Sequence, residues 1–412
     1  MDLTANRLKS IDPRLLSLPS LRTLSLRQNL VDDVRPLVQL ASLPTLEILI
    51  LHDNYLKSYP AGDEWSLPAL TKLDLSFNQL RDVSLPSTSY PVLRELYLAQ
   101  NKIKRVPEHL PTTLRTLELG SNRLKTLEGG RGDLHVEEDE EGEEDRVAKG
   151  GMDEKEGGAG AGDGDPIDHH GHGESGQQHP PPPLPLLASP LSLSSPLSPS
   201  AQVSERKQAQ PSPPPLSHLV HLRELWLARN RLSSIGWGLR GLVSLTSVSL
   251  QANRLSRMVG VGCLPNLEEL YLSMNGIEVV EDVEHLPKLR VLDLAQNKLR
   301  VVANLPPRLE DLWLNNNALE ACSWTELTEA LAASRDTIIS LYLENNPQLV
   351  DDLVSSTVAT TTATTMTTTA DGGGKKKEGD ASLYARRFFD HFPALDQLDS
   401  DHFRSGVVGD RA

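Results

Sequence analysis

LRELYLAQNKI, residues Leu93 to Ile103, is the stretch whose reading decides the fold. Leu96 and Leu98 alternate with Tyr97, the mark of a short strand that buries one face and turns Tyr97 to the other. Asn101 stands three residues after Leu98, where the chain leaves the strand. Its carboxamide can donate to and accept from backbone groups of neighbouring turns. The same spacing, Leu-x-x-Leu-x-Leu-x-x-Asn-x-Leu/Ile, returns along most of the chain. One such unit cannot bury its own leucines, so the pattern implies units stacked on one another.

This is the leucine-rich-repeat signature. Counted by the turn asparagine there are twelve units, at Asn6, Asn29, Asn54, Asn78, Asn101, Asn122, Asn230, Asn253, Asn275, Asn297, Asn317 and Asn346. Most intervals are 20 to 25 residues; the exceptions are 108 after Asn122 and 29 before Asn346. The expected fold class is an α/β solenoid, a horseshoe of about twelve repeats of about 22 residues with a parallel concave sheet and a C-terminal cap. In the unit of Asn122, Leu114, Leu117, Leu119, Leu124 and Leu127 should point inward, each contributing roughly 1.5–3 kcal/mol. After the asparagine the units run like KIKRVPEHLP and GIEVVEDVEHLP, which suits a short 3₁₀ or extended return rather than a long amphipathic helix.

The chain divides accordingly into repeats one to six (1–128), an acidic, His-rich and Pro/Ser-rich insertion (129–216), repeats seven to twelve (217–350), a Thr/Gly/Lys linker (351–381), a cap (382–404) and a tail (405–412). The insertion and the linker have too little apolar content to order themselves. Lengthening one connection from about 22 to 108 residues costs only on the order of 1.4 kcal/mol of closure entropy, so the sixth and seventh units can still stack. In the cap, Leu383 to Phe392 reads as a helix with Tyr384, Phe388 and Phe392 on one face, and Leu395 and Leu398 as a strand. The first unit begins at Asp2-Leu3 with nothing to cover its leucines. That predicts either a shortened start or a partner at that end.

The formal charge of -15 is mostly local: residues 129–216 hold seventeen Asp and Glu against six Lys and Arg, a net of -11. Near-neutral repeats do not suggest nucleic-acid binding, which calls for a basic stripe. Cys263 and Cys322 are the only cysteines and stand apart, as suits a reducing compartment. MDLTANRLKS is not a signal peptide, and no apolar run reaches eighteen residues, so no membrane span is expected. No nucleophile elbow, phosphate-cradling glycine loop or metal-spaced Cys/His set stands in a region expected to be ordered. A non-enzyme without cofactor or metal is therefore expected. His169, His170 and His172 read as solvated, and Arg131-Gly132-Asp133 as incidental. Ser189, Ser195, Ser198 and Ser212, each before Pro, are candidate sites of proline-directed phosphorylation.

Stacked strands bring the residue between the two leucines into one file: Asp2, Ser25, Ile50, Asp74, Tyr97, Glu118, Trp226, Ser249, Tyr271, Asp293, Trp313 and Tyr342. Aromatics are 4% of the chain, yet five of these twelve are aromatic and four acidic. Exposed aromatics among carboxylates on a rigid face suit protein binding. Lateral packing of aromatic side chains on a sheet is the competing explanation, although it leaves the Asp and Glu unexplained.

LSLRQNL, LDLSFNQL, LELGSNRL, LRELYLAQNKI and LYLSMNGIEVVE, followed by LWLNNNALEACSWTEL, LYLENNP and an Arg-Arg cap helix, resemble the leucine-rich-repeat regulatory subunit of type-1 protein phosphatase. The likeness covers about residues 2–128, 217–350 and 382–404. It implies that the concave face docks the phosphatase catalytic subunit, in the nucleus and cytoplasm, with a third regulatory protein as a further partner. The positions matching that family's contacts are Asp74, Tyr97, Glu118, Trp226, Asp293, Trp313 and Tyr342, with Asp311 replacing a Glu beside Trp313. Tyr271 shares their file. Both insertions depart from the family pattern, and the longer one falls between Glu118 and Trp226, where it could split the surface. The alternative is a scaffold of the same fold with another client, of spliceosomal, axonemal or tubulin-cofactor type.

Overall fold

The computed structural model describes residues 1–10, 18, 20–33, 44–60, 65–128, 213–319, 324–346 and 385–399. The insertion up to residue 212, Cys322, the Thr/Gly/Lys linker, Leu383, Tyr384 and the tail lie outside them. The described residues belong to one compact unit, 1–131 with 211–412; a second, 132–210, lies outside them.

Twelve short strands form one sheet in strict sequence order. They are β1 (Thr23–Ser25), β2 (Ile48–Ile50), β3 (Lys72–Asp74), β4 (Glu95–Tyr97), β5 (Thr116–Glu118), β6 (Glu224–Trp226), β7 (Ser247–Ser249), β8 (Glu269–Tyr271), β9 (Val291–Asp293), β10 (Asp311–Trp313), β11 (Ser340–Tyr342) and β12 (Gln397–Leu398). Every pairing is parallel, and central leucine meets central leucine, as in Leu73↔Leu96 and Leu96↔Leu117, except at β7, where Val248 takes the place. A one-residue slip would turn every leucine outward, so burial of one face fixes the register. Leu24, Leu49, Leu73, Leu96, Leu117 and Leu225 are all fully buried.

The asparagines bind each unit to the one before it. Asn78 donates to its own unit's Leu75 and Ser76 carbonyls at 3.0 and 3.1 Å and to the preceding unit's Leu51 carbonyl at 3.0 Å. Its Oδ1 accepts from the Leu56 amide at 3.0 Å. The residue before each of the twelve asparagines has a φ between 52° and 59°, and none of them is glycine. That left-handed turn costs about 1 kcal/mol or more each time. It places the carboxamide so that otherwise orphaned backbone groups are satisfied, which offsets the strain.

The junction across the insertion is continuous. Glu118 pairs with Trp226 in register, and Asn230 donates to the Leu119 carbonyl at 2.9 Å while accepting from the Leu124 amide at 3.1 Å. The insertion therefore does not split the face.

The N-terminal end departs from the expected pattern, whereas the strand expected in the cap at Leu395 and Leu398 forms at Gln397–Leu398. The first unit contributes only an isolated bridge, Asp2↔Ser25, and the twelfth strand comes from the cap as β12, paired parallel to β11. The long eleventh interval accommodates α1 (Trp324–Ala330), which the expected 3₁₀ or extended return did not include, together with a 3₁₀ turn, Ala332–Ser334, which it did. In the cap, residues 385–391 are helical. Phe388 is fully buried, 5.0 Å from the Trp324 ring and 6.1 Å from Phe392 between centroids. Among the described residues no helix is long and apolar enough to cross a membrane.

Candidate functional site

Every strand turns its first and third residues to the open face, opposite the leucine core. Register brings Asp74, Tyr97, Glu118, Trp226, Ser249, Tyr271, Asp293, Trp313 and Tyr342 into one unbroken file. Asp311 lies beside that file, two residues before Trp313 on the same strand. All nine candidate residues thus share one wall. The first strand positions add Glu95, Glu224 and Glu269, which the sequence reading passed over because it followed only the residue between the leucines. The period-two rule was sufficient to find them. From β4 to β11 the outward positions hold six carboxylates, five aromatics and no Lys or Arg.

The aromatics are half-buried rather than fully exposed, which corrects the sequence expectation. Trp226 and Tyr271 flank Ser249, about 9.5 Å apart by strand spacing, yet their centroids lie 6.5 Å apart with planes inclined by 21°. They lean together over Ser249, which is buried. Trp313 and Tyr342, on adjacent strands, stack at 5.8 Å. Offset stacking of this kind holds the rings rigid and leaves their outer faces to solvent. Lateral packing therefore accounts for the half-burial, and an apolar face remains on the same side chains.

The polar groups are tied in around the rings. Tyr97 donates to Glu95 at 3.1 Å, and Lys72 pairs with Glu95 at 3.0 Å while lying 4.6 Å over the Tyr97 ring. Arg290, at the sheet edge, bridges Glu269 and Glu310 at 3.1 and 3.0 Å. Asp293 accepts from the Gln251 amide at 3.0 Å. Burial, then the charge of Glu95 and Glu269 respectively, raises the phenols of Tyr97 and Tyr271. A hollow of about 210 Å³ opens beside Trp226, walled by Glu224, Glu268 and Glu269. A second, of about 630 Å³, lies at the N-terminal end among Arg27, His52, Lys72 and Asp74.

Glu118 differs from the other carboxylates. Burial, and then the charge of Asp74 two strands away, holds its carboxyl above the usual carboxylate range. No cation faces it among the described residues. A raised carboxyl favours the fold while protonated, and that contribution is lost as pH rises through the folded value. Glu118→Gln should therefore raise the melting temperature at neutral pH, and the advantage should vanish below the ordinary carboxylate value of 4.5. Melting curves of both proteins across pH check this; an advantage that persists in acid would refute it.

Models of leucine-rich repeats match residues 67–85 (one repeat) and 265–307 (two copies). Over 132 residues, 31% of this chain and 39% of the relative, the sequence is 43% identical to the protein phosphatase 1 regulatory inhibitor subunit homolog of Arabidopsis thaliana. It is 32% identical to human podocan-like protein 1 over 68% of this chain and 53% of that protein. The chain thus spans no more than about half the length of either relative. Among solved structures, a Leptospira interrogans leucine-rich-repeat protein matches with TM-score 0.50 at 22% identity, covering 86% of this chain and 74% of that one. The ectodomain of a plant membrane receptor kinase from Arabidopsis thaliana matches with TM-score 0.51 at 18% identity, covering 97% and 35%. At such identities these two likenesses establish the fold alone.

Proposed function

We propose that this leucine-rich-repeat chain is a non-catalytic scaffold that docks the catalytic subunit of type-1 protein phosphatase on the open face of its sheet. There it controls that subunit's activity, assembly or targeting, in the nucleus and cytoplasm. The observation that carries the reading is the file itself. Paired aromatic rings are held rigid among carboxylates, and no Lys or Arg stands at an outward position from β4 to β11. Pre-ordered rings lose little entropy on binding and serve as anchors. The carboxylates complement a basic partner surface, and a partner's cation would relieve the unpaired Glu118.

The 43% identity to the Arabidopsis phosphatase regulatory homolog supports this choice of client. A second reading, a scaffold of the same fold for another client, draws on the longer match to podocan-like protein 1. Leucine spacing is dictated by stacking and recurs wherever the fold does, so long coverage at lower identity discriminates clients poorly.

Capture of purified phosphatase catalytic subunit on the immobilised chain tests the proposal. Trp226→Ala combined with Trp313→Ala should weaken capture by roughly tenfold or more, since each ring is a candidate hot spot. Circular dichroism monitors the fold of the variant. Capture that is absent, or unchanged by the double substitution in a folded protein, overturns it.

A further inference from the structure

Away from the open face, the edge of the solenoid at the asparagine turns has the opposite sign in its middle units. The four turn segments 100–105, 121–126, 229–234 and 252–257 contain nine Lys and Arg and no Asp or Glu. The equivalent segments 53–58 and 77–82 on one side are balanced, and 274–279 on the other carries a net negative charge. The unbroken basic run therefore spans four consecutive units; segments 5–10 and 296–301, each with two cations and no acid, stand apart from it.

Its backbone is fixed. Each residue after the turn asparagine donates to the unit before it: Lys102 to Leu80, Arg123 to Ile103, Arg231 to Leu124 and Arg254 to Leu232, at 2.8 to 2.9 Å. The backbones of these four residues consequently stand in a row with strand spacing of about 4.8 Å, some 14 Å from end to end, with Lys102 and Arg231 engaged in further contacts of their own. Arg123 and Arg231 are 108 residues apart in sequence and adjacent in this row. Arg257 pairs with Glu281 at 2.6 Å. Among the described residues Arg105, Arg123, Lys125, Arg229 and Arg254 form no ion pair.

We infer that this row is a second docking surface, for an acidic segment of a partner protein, separate from the open face. The length fits four to five residues of extended peptide at about 3.3 Å each. An acidic peptide is favoured over nucleic acid for two reasons. Single-stranded nucleic acid is held by aromatic side chains on which bases stack, and the four segments contain none. A longer polyanion would also run past the row onto flanking turn segments that are balanced (77–82) or negative (274–279) and offer it no further cations.

Fluorescence anisotropy of a labelled Glu/Asp octapeptide against the full chain tests the inference, with an oligothymidylate in parallel. The same titration is repeated on a chain whose carboxylates in residues 137–145 are changed to amides, so that its own acidic run does not compete. The peptide should bind at low salt and weaken as ionic strength rises. Arg123→Glu with Arg231→Glu and Arg254→Glu should weaken it by roughly tenfold or more, and Arg105→Glu with Lys125→Glu, at exposed positions, should weaken it in the same direction. The Trp226→Ala, Trp313→Ala protein should bind the peptide normally, which separates this inference from the phosphatase reading. The inference is overturned if neither chain binds the peptide, if both charge reversals leave binding intact, or if the oligothymidylate binds as tightly.

Discussion

Phe388→Ala should destabilise the C-terminal end by about 3–5 kcal/mol, the cost of truncating a buried Phe where the surroundings cannot collapse. Phe388 has no exposed surface, and its ring meets Trp324 edge-on and Phe392 in a stack. Those contacts hold the cap against the last units. Behind them, the amides of Asp396 and Gln397 both donate to the Ile339 carbonyl, and Asp399 to Leu341, which adds β12 to the sheet. Without the cap, Leu341 and Leu343, both fully buried, would face water. In a repeat array each unit leans only on its neighbours, so the loss should stay local before it spreads. Hydrogen exchange should report lost protection in β11 and β12 well before β4 or β5. A uniform loss, or a destabilisation below about 1 kcal/mol, would show that the cap is dispensable.

The second large effect is expected at the junction spanning the insertion. Asn230→Ala should cost roughly 2–4 kcal/mol, from one orphaned buried donor and the lost carboxamide bonds. The Leu124 amide loses its acceptor, whereas the Leu119 and Leu227 carbonyls keep Asn122 and Asn253 as donors. Asn230→Asp distinguishes this mechanism from mere loss of packing. It retains an acceptor for Leu124 but points a carboxylate at the Leu119 and Leu227 carbonyls, so it should be at least as damaging at neutral pH and recover when protonated. Because the substitution lies between units six and seven, urea unfolding should divide into two steps. A single transition with unchanged midpoint would refute the role assigned to Asn230.

Much of the fold was legible in the residues because the information is local and repeated. Leu96, Leu98 and Asn101 define a strand, its buried face and its exit within six positions, and the pattern recurs often enough to reveal the array. The shared wall of Tyr97, Trp226 and Trp313 followed from period-two geometry. Glu95, Glu224 and Glu269 were equally available to that rule.

The sequence alone determined the stacking, the register and the membership of the open face, since each depends on spacing within one unit. Tertiary structure decided how far Trp226 leans over Ser249 toward Tyr271, that Asp2 forms only a bridge, that Trp324–Ala330 coils into a helix, and that Arg123 stands beside Arg231. These depend on contacts along the solenoid axis between residues from about twenty to more than a hundred positions apart. Through-space hydrogen bonds and ring packing fix such neighbours, and no spacing within a single unit encodes them.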